Sequence, residues 1–184
     1  MPSEKKKSRL QSNLDFRLMS LTMKFRDFVR PRMNILEEVE IKEGFHVLDY
    51  GCGPGSYIIP VARLVGESGK VYALDVHPLA IRSVQSLASK NRLDNIQTIL
   101  SSCQTGLPAE SIDIVLLYDL LHDLSEVKSV LTELYRVLKN NGVLSVTDHH
   151  MKEGDIISRV TGEGLFKLLA RNERTTSFSR RGES

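Results

Sequence analysis

The stretch Val47-Leu48-Asp49-Tyr50-Gly51-Cys52-Gly53-Pro54-Gly55-Ser56-Tyr57 decides how this chain is read. An apolar run, Phe45–Tyr50, reads as a strand that hands over through a glycine-rich turn to a helix predicted over Ser56–Val65. Gly51 and Gly53 carry no side chain, so the backbone can bend tightly and approach a ligand. In an open α/β sheet, ligands bind outside the carboxyl ends of the strands, where this turn would lie. The spacing is D-x-G-x-G-x-G, which departs from the G-x-G-x-x-G of dinucleotide binders and lacks the G-K-[ST] ending of a phosphate loop. A carboxylate at Asp49 disfavours phosphate and suits a cationic ligand.

Downstream, short apolar runs alternate with helical patterns. Strands are predicted over Val71–Val76, Ile96–Leu100, Ile112–Tyr118 and Val143–Thr147, with a helix over Pro78–Lys90. Another helix buries Val127, Val130, Leu131, Leu134, Val137 and Leu138; Ser125 is its expected cap and Asn140-Asn141-Gly142 its terminating turn. Two extended runs, Leu165–Arg171 and Thr175–Arg180, suggest a terminal antiparallel hairpin. Continuous apolar strands alternating with amphipathic helices imply an α/β fold, a mostly parallel sheet covered on both faces.

A second carboxylate, Asp75, ends the run Val71-Tyr72-Ala73-Leu74-Asp75. There it can accept from the vicinal hydroxyls of a ribose. With these residues in place, the chain resembles the class I S-adenosylmethionine-dependent methyltransferases, most closely the small branch that includes ubiquinone/menaquinone C-methyltransferases. The motifs are VLDYGCGPGSY, VYALDV and LYRVLKNNGVLSVTD, and the likeness spans about residues 32–181. The resemblance implies a Rossmann-like seven-stranded sheet and S-adenosylmethionine as cofactor, with S-adenosylhomocysteine as product. It implies that Gly51, Gly53 and Gly55 wrap the methionine part, that Asp49 holds the loop and the amino group, and that Asp75 takes the ribose with Val76 on the adenine. Tyr118 is counted with these cofactor-binding residues. Where the family usually carries an Asp, this chain has Cys103, so backbone atoms of Cys103 and Gln104 are expected to read the base.

Methyl transfer is an in-line displacement, and much of its acceleration comes from holding the nucleophile in line. Candidates for the reacting end are Tyr118-Asp119-Leu120-Leu121-His122-Asp123 and Thr147-Asp148-His149-His150. Asp119 and His122 are the expected catalytic groups. Of the adjacent His149 and His150, at most one is expected to face the pocket. No metal is expected, because no H-x-x-x-H pair is present.

The chain has 184 residues, 41% hydrophobic, with a net charge of +2 from 25 basic and 23 acidic residues. This is one domain with an extension, and the charge is too small for a dedicated nucleic-acid binder. The fourth strand ends without the N-P-P-Y or D-P-P-Y tetrapeptide of base methylases, so the expected partner is a small-molecule acceptor, with no nucleic acid. Residues 1–12 read as a basic tail, 13–40 as a helical lid or packing segment broken at Pro31, and 41–184 as the methyltransferase domain. No apolar run reaches transmembrane length, the start lacks a signal peptide's apolar stretch, and two cysteines are consistent with a reduced cytoplasmic setting. Peripheral membrane contact through the N-terminal segment stays open, as does a monomer or a homodimer. The alternative function is a non-catalytic, S-adenosylmethionine-binding regulatory protein.

Overall fold

The computed structural model describes residues 33–182. The expected basic tail, and residues 13–32 of the helical lid or packing segment with its break at Pro31, lie outside the described residues. A short helix α1 (Met33–Leu36) and a 3-10 turn (Glu37–Val39) lead into β1 (His46–Tyr50). The order continues α2 (Ile58–Val65), β2 (Lys70–Asp75), α3 (Pro78–Asn91), β3 (Ile96–Leu100) and β4 (Ile112–Tyr118). After a 3-10 turn (Leu121–Asp123) come α4 (Val127–Val137), β5 (Leu138–Thr147), α5 (Glu153–Thr161), β6 (Phe166–Arg171) and β7 (Thr176–Arg180).

The seven strands form one sheet in the order β3-β2-β1-β4-β5-β7-β6. Strands β1 to β5 pair in parallel, and β7 runs antiparallel between β5 and β6. The expected α/β architecture with a C-terminal antiparallel hairpin is what is observed. The chain order reverses between β1 and β4, and their carboxyl ends open a crevice there.

Strand alternation splits the core into two layers. Val47, Ile114 and Leu116 face one cluster with Ile58, Val61 and Val65 of α2 and Val84 of α3. Leu48, Val115 and Leu117 face the other, with Leu131 and Leu134 of α4 and the fully buried Phe166 and Phe178. Neighbouring residues on one strand serve opposite layers because side chains alternate with period two.

Three local expectations need correction. Helix α4 starts at Val127 with Glu126 in the cap position and no side-chain cap hydrogen bond, so Ser125 does not cap it. It ends at Val137 because Leu138 is already extended and pairs with Ile112. Asn140-Asn141-Gly142 is therefore not the helix-ending turn. It lies inside β5, where the register slips between Leu138 and Val143. At Gly142 an added Cβ would sit 2.9 Å from the Asp113 carbonyl oxygen, so this strand can approach β4 only with glycine there. Finally, helix α5 stands where the sequence reading places no helix. Its Ile156 and Val160 are buried one turn apart against the β6–β7 side of the sheet. No helix among the described residues is long and apolar enough to cross a membrane.

Candidate active site

The glycine turn is tied down from β2. Gly51 N and Cys52 N both donate to the Leu74 carbonyl, at 2.8 and 2.9 Å. Gly53 N donates to Asp75 Oδ2 at 2.9 Å, and His77 N donates to Asp75 Oδ1 at 2.8 Å. Asp75 thus fastens the loop to the second strand as well as facing the crevice, a role the sequence reading did not contain. Gly51 has φ +86, and Leu120 packs so closely on it that an added Cβ would lie 2.5 Å from Leu120 Cδ2. This contact brings the end of β4 directly onto the loop. Gly53, at φ +51, faces open space.

Asp49 is 2% exposed beneath the loop. Burial pushes the Cys52 thiol up, and the nearby Asp49 and Asp75 carboxylates push it further. Cys52 therefore stays a protonated thiol, and the loop floor is electronegative. Beyond Asp75 two apolar side chains stand in solvent: Val76 is 49% exposed and Leu100, its neighbour at the end of β3, is 57% exposed. Asp75 and Leu100 are register partners, so these groups share one rim. Leu100 was not singled out from sequence. Its only signal was a leucine at the last position of a strand.

The segment after β3 is held by a buried network. Glu133 of α4 is 3% exposed and its Oε1 accepts from Thr105 N at 2.8 Å and Thr105 Oγ1 at 2.6 Å. Arg136 donates to both Glu133 oxygens and to the Leu107 carbonyl. Hydrogen bonding from Arg136 outweighs the upward push of burial and, with Thr105, holds the Glu133 carboxyl down to about 2. Cys103 is half-buried; its N–H donates to Ser101 Oγ, and its carbonyl accepts from Tyr50 Oη at 3.3 Å. Gln104 is exposed. Tyr118 is buried, its hydroxyl 2.9 Å from Ser145 Oγ and its ring 5.0 Å from Tyr57 in an edge contact. Its side chain lies in the core, and only its backbone reaches the crevice end of β4.

At the ends of β4 and β5 the expected catalytic groups form pairs that sequence could not show. Asp119, at φ +53, accepts from His149 Nδ1 at 2.6 Å and from His149 N at 3.2 Å. His122 Nδ1 lies 2.9 Å from Asp148 Oδ2, which also accepts from His122 N. Burial raises the Asp148 carboxyl, but hydrogen bonds from His122 and from His150 N outweigh it and leave it below the usual range. The His150 ring stacks against both neighbours, 4.4 Å from His122 and 3.9 Å from His149. Among the described residues, no group of three or more His, Cys, Asp or Glu side chains is arranged to hold a metal ion.

A cavity of about 260 Å³ opens beside this cluster, lined by Thr147, Asp148, Met151, Ile156, Arg174 and Thr175 among others. Its far wall is tied to the N-terminal element. Glu38 accepts from Thr175 N and Thr175 Oγ1, both at 2.9 Å, and from Arg174 N at 3.1 Å.

A glycine turn over an acidic floor, a strand-end carboxylate and a crevice at the sheet's reversal point make up a site of the kind in which α/β proteins hold nucleoside cofactors. A family profile described as a methyltransferase domain matches residues 41–174, and the chain belongs to that family, the S-adenosylmethionine-dependent methyltransferases. It is 28% identical over 126 residues to a demethylmenaquinone methyltransferase of Geobacillus stearothermophilus, covering 68% of this chain and 54% of that protein. It is 32% identical over 144 residues to a demethylmenaquinone methyltransferase of Lactobacillus johnsonii, covering 75% and 57%. The chain thus spans about half the length of these curated relatives. A solved SAM-dependent methyltransferase from Aquifex aeolicus superposes with TM-score 0.73 at 26% identity, covering 80% of this chain and 87% of that one.

Proposed function

We propose that the chain transfers a methyl group from S-adenosylmethionine to a small-molecule acceptor. The observation that carries this reading is the pairing of an acidic loop floor, Asp49 beneath Gly51–Gly55, with Asp75 beside the exposed Val76 and Leu100. These residues fit a ligand that is cationic at one end and a nucleoside at the other. Asp75 would take the ribose hydroxyls, Val76 and Leu100 would flank the base, and the open face of Gly53 would lie along the methionine part. Asp49 supports the loop and its negative field. The backbone of Cys103 and Gln104 would edge the base pocket, and the Tyr118 backbone would close its floor. When bound, the sulfonium supplies an electrophilic methyl group.

Asp119 and His122 stand at the acceptor side of the crevice, where Leu120 touches Gly51. The cavity between β5, α5 and the β6–β7 turn is the acceptor's place in this reading, and the element 33–39 forms its rim through Glu38. Residues 13–32 are proposed to complete that rim as a lid. The curated relatives are named for demethylmenaquinone, which makes a reduced quinone the first acceptor to try. Two free cysteines suit a reduced, cytoplasmic setting.

Calorimetric titration tests the cofactor half: S-adenosylhomocysteine is expected to bind and NAD is not. Labelled methyl donor with a metabolite extract tests the transfer half. Donor binding without transfer to any metabolite would favour a regulatory, non-catalytic binder, and NAD binding alone would overturn the reading.

A further inference from the structure

Two carboxylate–imidazole pairs meet where β4 and β5 end, and they are not equivalent. The His122 ring is 28% exposed, its Nδ1 is engaged by the fully buried Asp148 side chain, and its Nε2 lies 3.9 Å from Asp123 Oδ2. Both of its nitrogens face acids. The His149 ring is 57% exposed and is anchored on one side, at Nδ1, by Asp119. An ionised carboxylate only accepts, so His149 donates from Nδ1 and its lone pair resides on Nε2, on a ring that is more than half exposed. Asp119 is followed by Leu120, whose side chain packs on Gly51 of the cofactor loop. Asp119 is thus the chain neighbour of the residue that packs on the cofactor loop, and Asp148, next to His149 in the chain, lines the cavity assigned to the acceptor.

We propose that His149 is the general base of this site and that Asp119 is its positioning residue. The proposal rests on the methyl-transfer reading and deepens it by naming the residue that takes the proton from the acceptor's acidic O–H or C–H. The acceptor's bond to hydrogen breaks, its electron pair stays on the acceptor, and the proton passes to His149 Nε2. The resulting imidazolium is held by Asp119. The acceptor's pair then forms the new bond to the methyl carbon, and the pair of the broken S–CH₃ bond stays on sulfur. The proton leaves His149 for water.

The surroundings suit a transient positive charge. Asp119 faces the ring from β4, His150 from the turn after β5, and Asp148 and Asp123 stand behind His150 and His122. The arrangement is the one in which a carboxylate fixes the tautomer of an imidazole that removes a proton.

The test uses the full chain and three measurements. Labelled methyl donor with a metabolite extract reads transfer. His149→Gln is expected to lower it by about 10²–10⁴-fold, the range for losing a general base. The rise of rate with pH should vanish in the same variant, while S-adenosylhomocysteine affinity and thermal midpoint stay within about twofold and a degree or two of the parent. Asp119→Asn keeps the shape of the pair and should lose most of the rate as well, which covers the case of a poorly folding His149 variant. As a readout without turnover, the His149 ring resonance should move when S-adenosylhomocysteine is added, whereas that of His46, at the amino-terminal end of β1 and away from the crevice, should not. Undiminished transfer in His149→Gln, an unchanged pH profile, or a His149 resonance indifferent to the cofactor overturns the base assignment. No transfer by the parent chain overturns the methyl-transfer reading itself, and this proposal with it.

Discussion

Asp75 accepts a hydrogen bond from the Gly53 amide at 2.9 Å, so the two sequence motifs that define the cofactor crevice are fastened to each other. The carboxylate that would hold a ribose also sets the shape of the loop. Replacing it should therefore do two things at once. Asp75→Ala is expected to weaken S-adenosylhomocysteine binding and to cost about 1.5–3 kcal/mol of stability in the free protein, the scale for hydrogen bonds to a charged acceptor. Calorimetry and urea unfolding on the same preparation check both. Lost affinity with unchanged stability would show that the Gly53 bond contributes nothing to the fold.

Glu133 gives the protein an acid-labile point. Its folded carboxyl is held near 2 against an ordinary value of 4.5, chiefly by Arg136. A depressed carboxyl contributes stability that is complete above its unfolded value and is lost as pH falls through the folded one. The contribution is on the order of 2–3 kcal/mol, allowing for the solvent contact of Arg136. Urea unfolding at pH 6 and pH 3 should show the parent losing more than half of this amount, the rest going only below pH 2, and Glu133→Gln losing much less. Equal losses in both would place the acid sensitivity elsewhere.

Among the described residues Leu100 stands 57% exposed at the end of β3, where a ligand in the crevice would cover it. Leu100→Ser should raise the dissociation constant for S-adenosylhomocysteine severalfold, about 1 kcal/mol for the apolar area concerned. The thermal midpoint of the free protein should stay put. Unchanged affinity would remove Leu100 from the base pocket.

Glu38 makes three backbone or hydroxyl contacts with Arg174 and Thr175. Glu38→Ala should release the element 33–39 from the β6–β7 turn, at about 1–3 kcal/mol for the acceptor lost to these donors. Hydrogen exchange should speed up at Thr175 and across 33–39, while β1 and β4 keep their protection. Uniform protection throughout would mean that the buried Leu36 and Val39 suffice to hold the element.

The sheet was legible because its strands are unbroken apolar runs, a pattern that only burial on both faces explains. The crevice was legible because glycines and acids sit next to each other in the chain. What stayed hidden depends on neighbours far apart in sequence. Asp119 and His149 are 30 residues apart, and only the pairing of β4 with β5 brings them together. Glu38 and Thr175 are separated by 137 residues. Asn140-Asn141-Gly142 has the composition of a turn, yet the pairing of Leu138 with Ile112 draws it into a strand. Helix α5 carried its own signal, Ile156 and Val160 four apart behind Glu153 and Asp155, but a single short turn of apolar residues competes poorly with a loop reading.

The clasp between Glu38 and the β6–β7 turn has a practical side. Helix α1 and the turn after it add only about 1.5–2 Å per residue, so Met33 lies within about 10 Å of the rim that Glu38 forms. Strand β7 runs the other way and ends with Arg181 bonded to Leu165 at the back of the sheet. Residues 1–32 therefore join the described fold beside the mouth of the cavity, and a truncated variant that begins at Met33 would carry an affinity handle or a fluorophore there. The same addition behind Arg181 is kept a whole strand length away. Immobilisation through the carboxyl-terminal end leaves the crevice facing the solution.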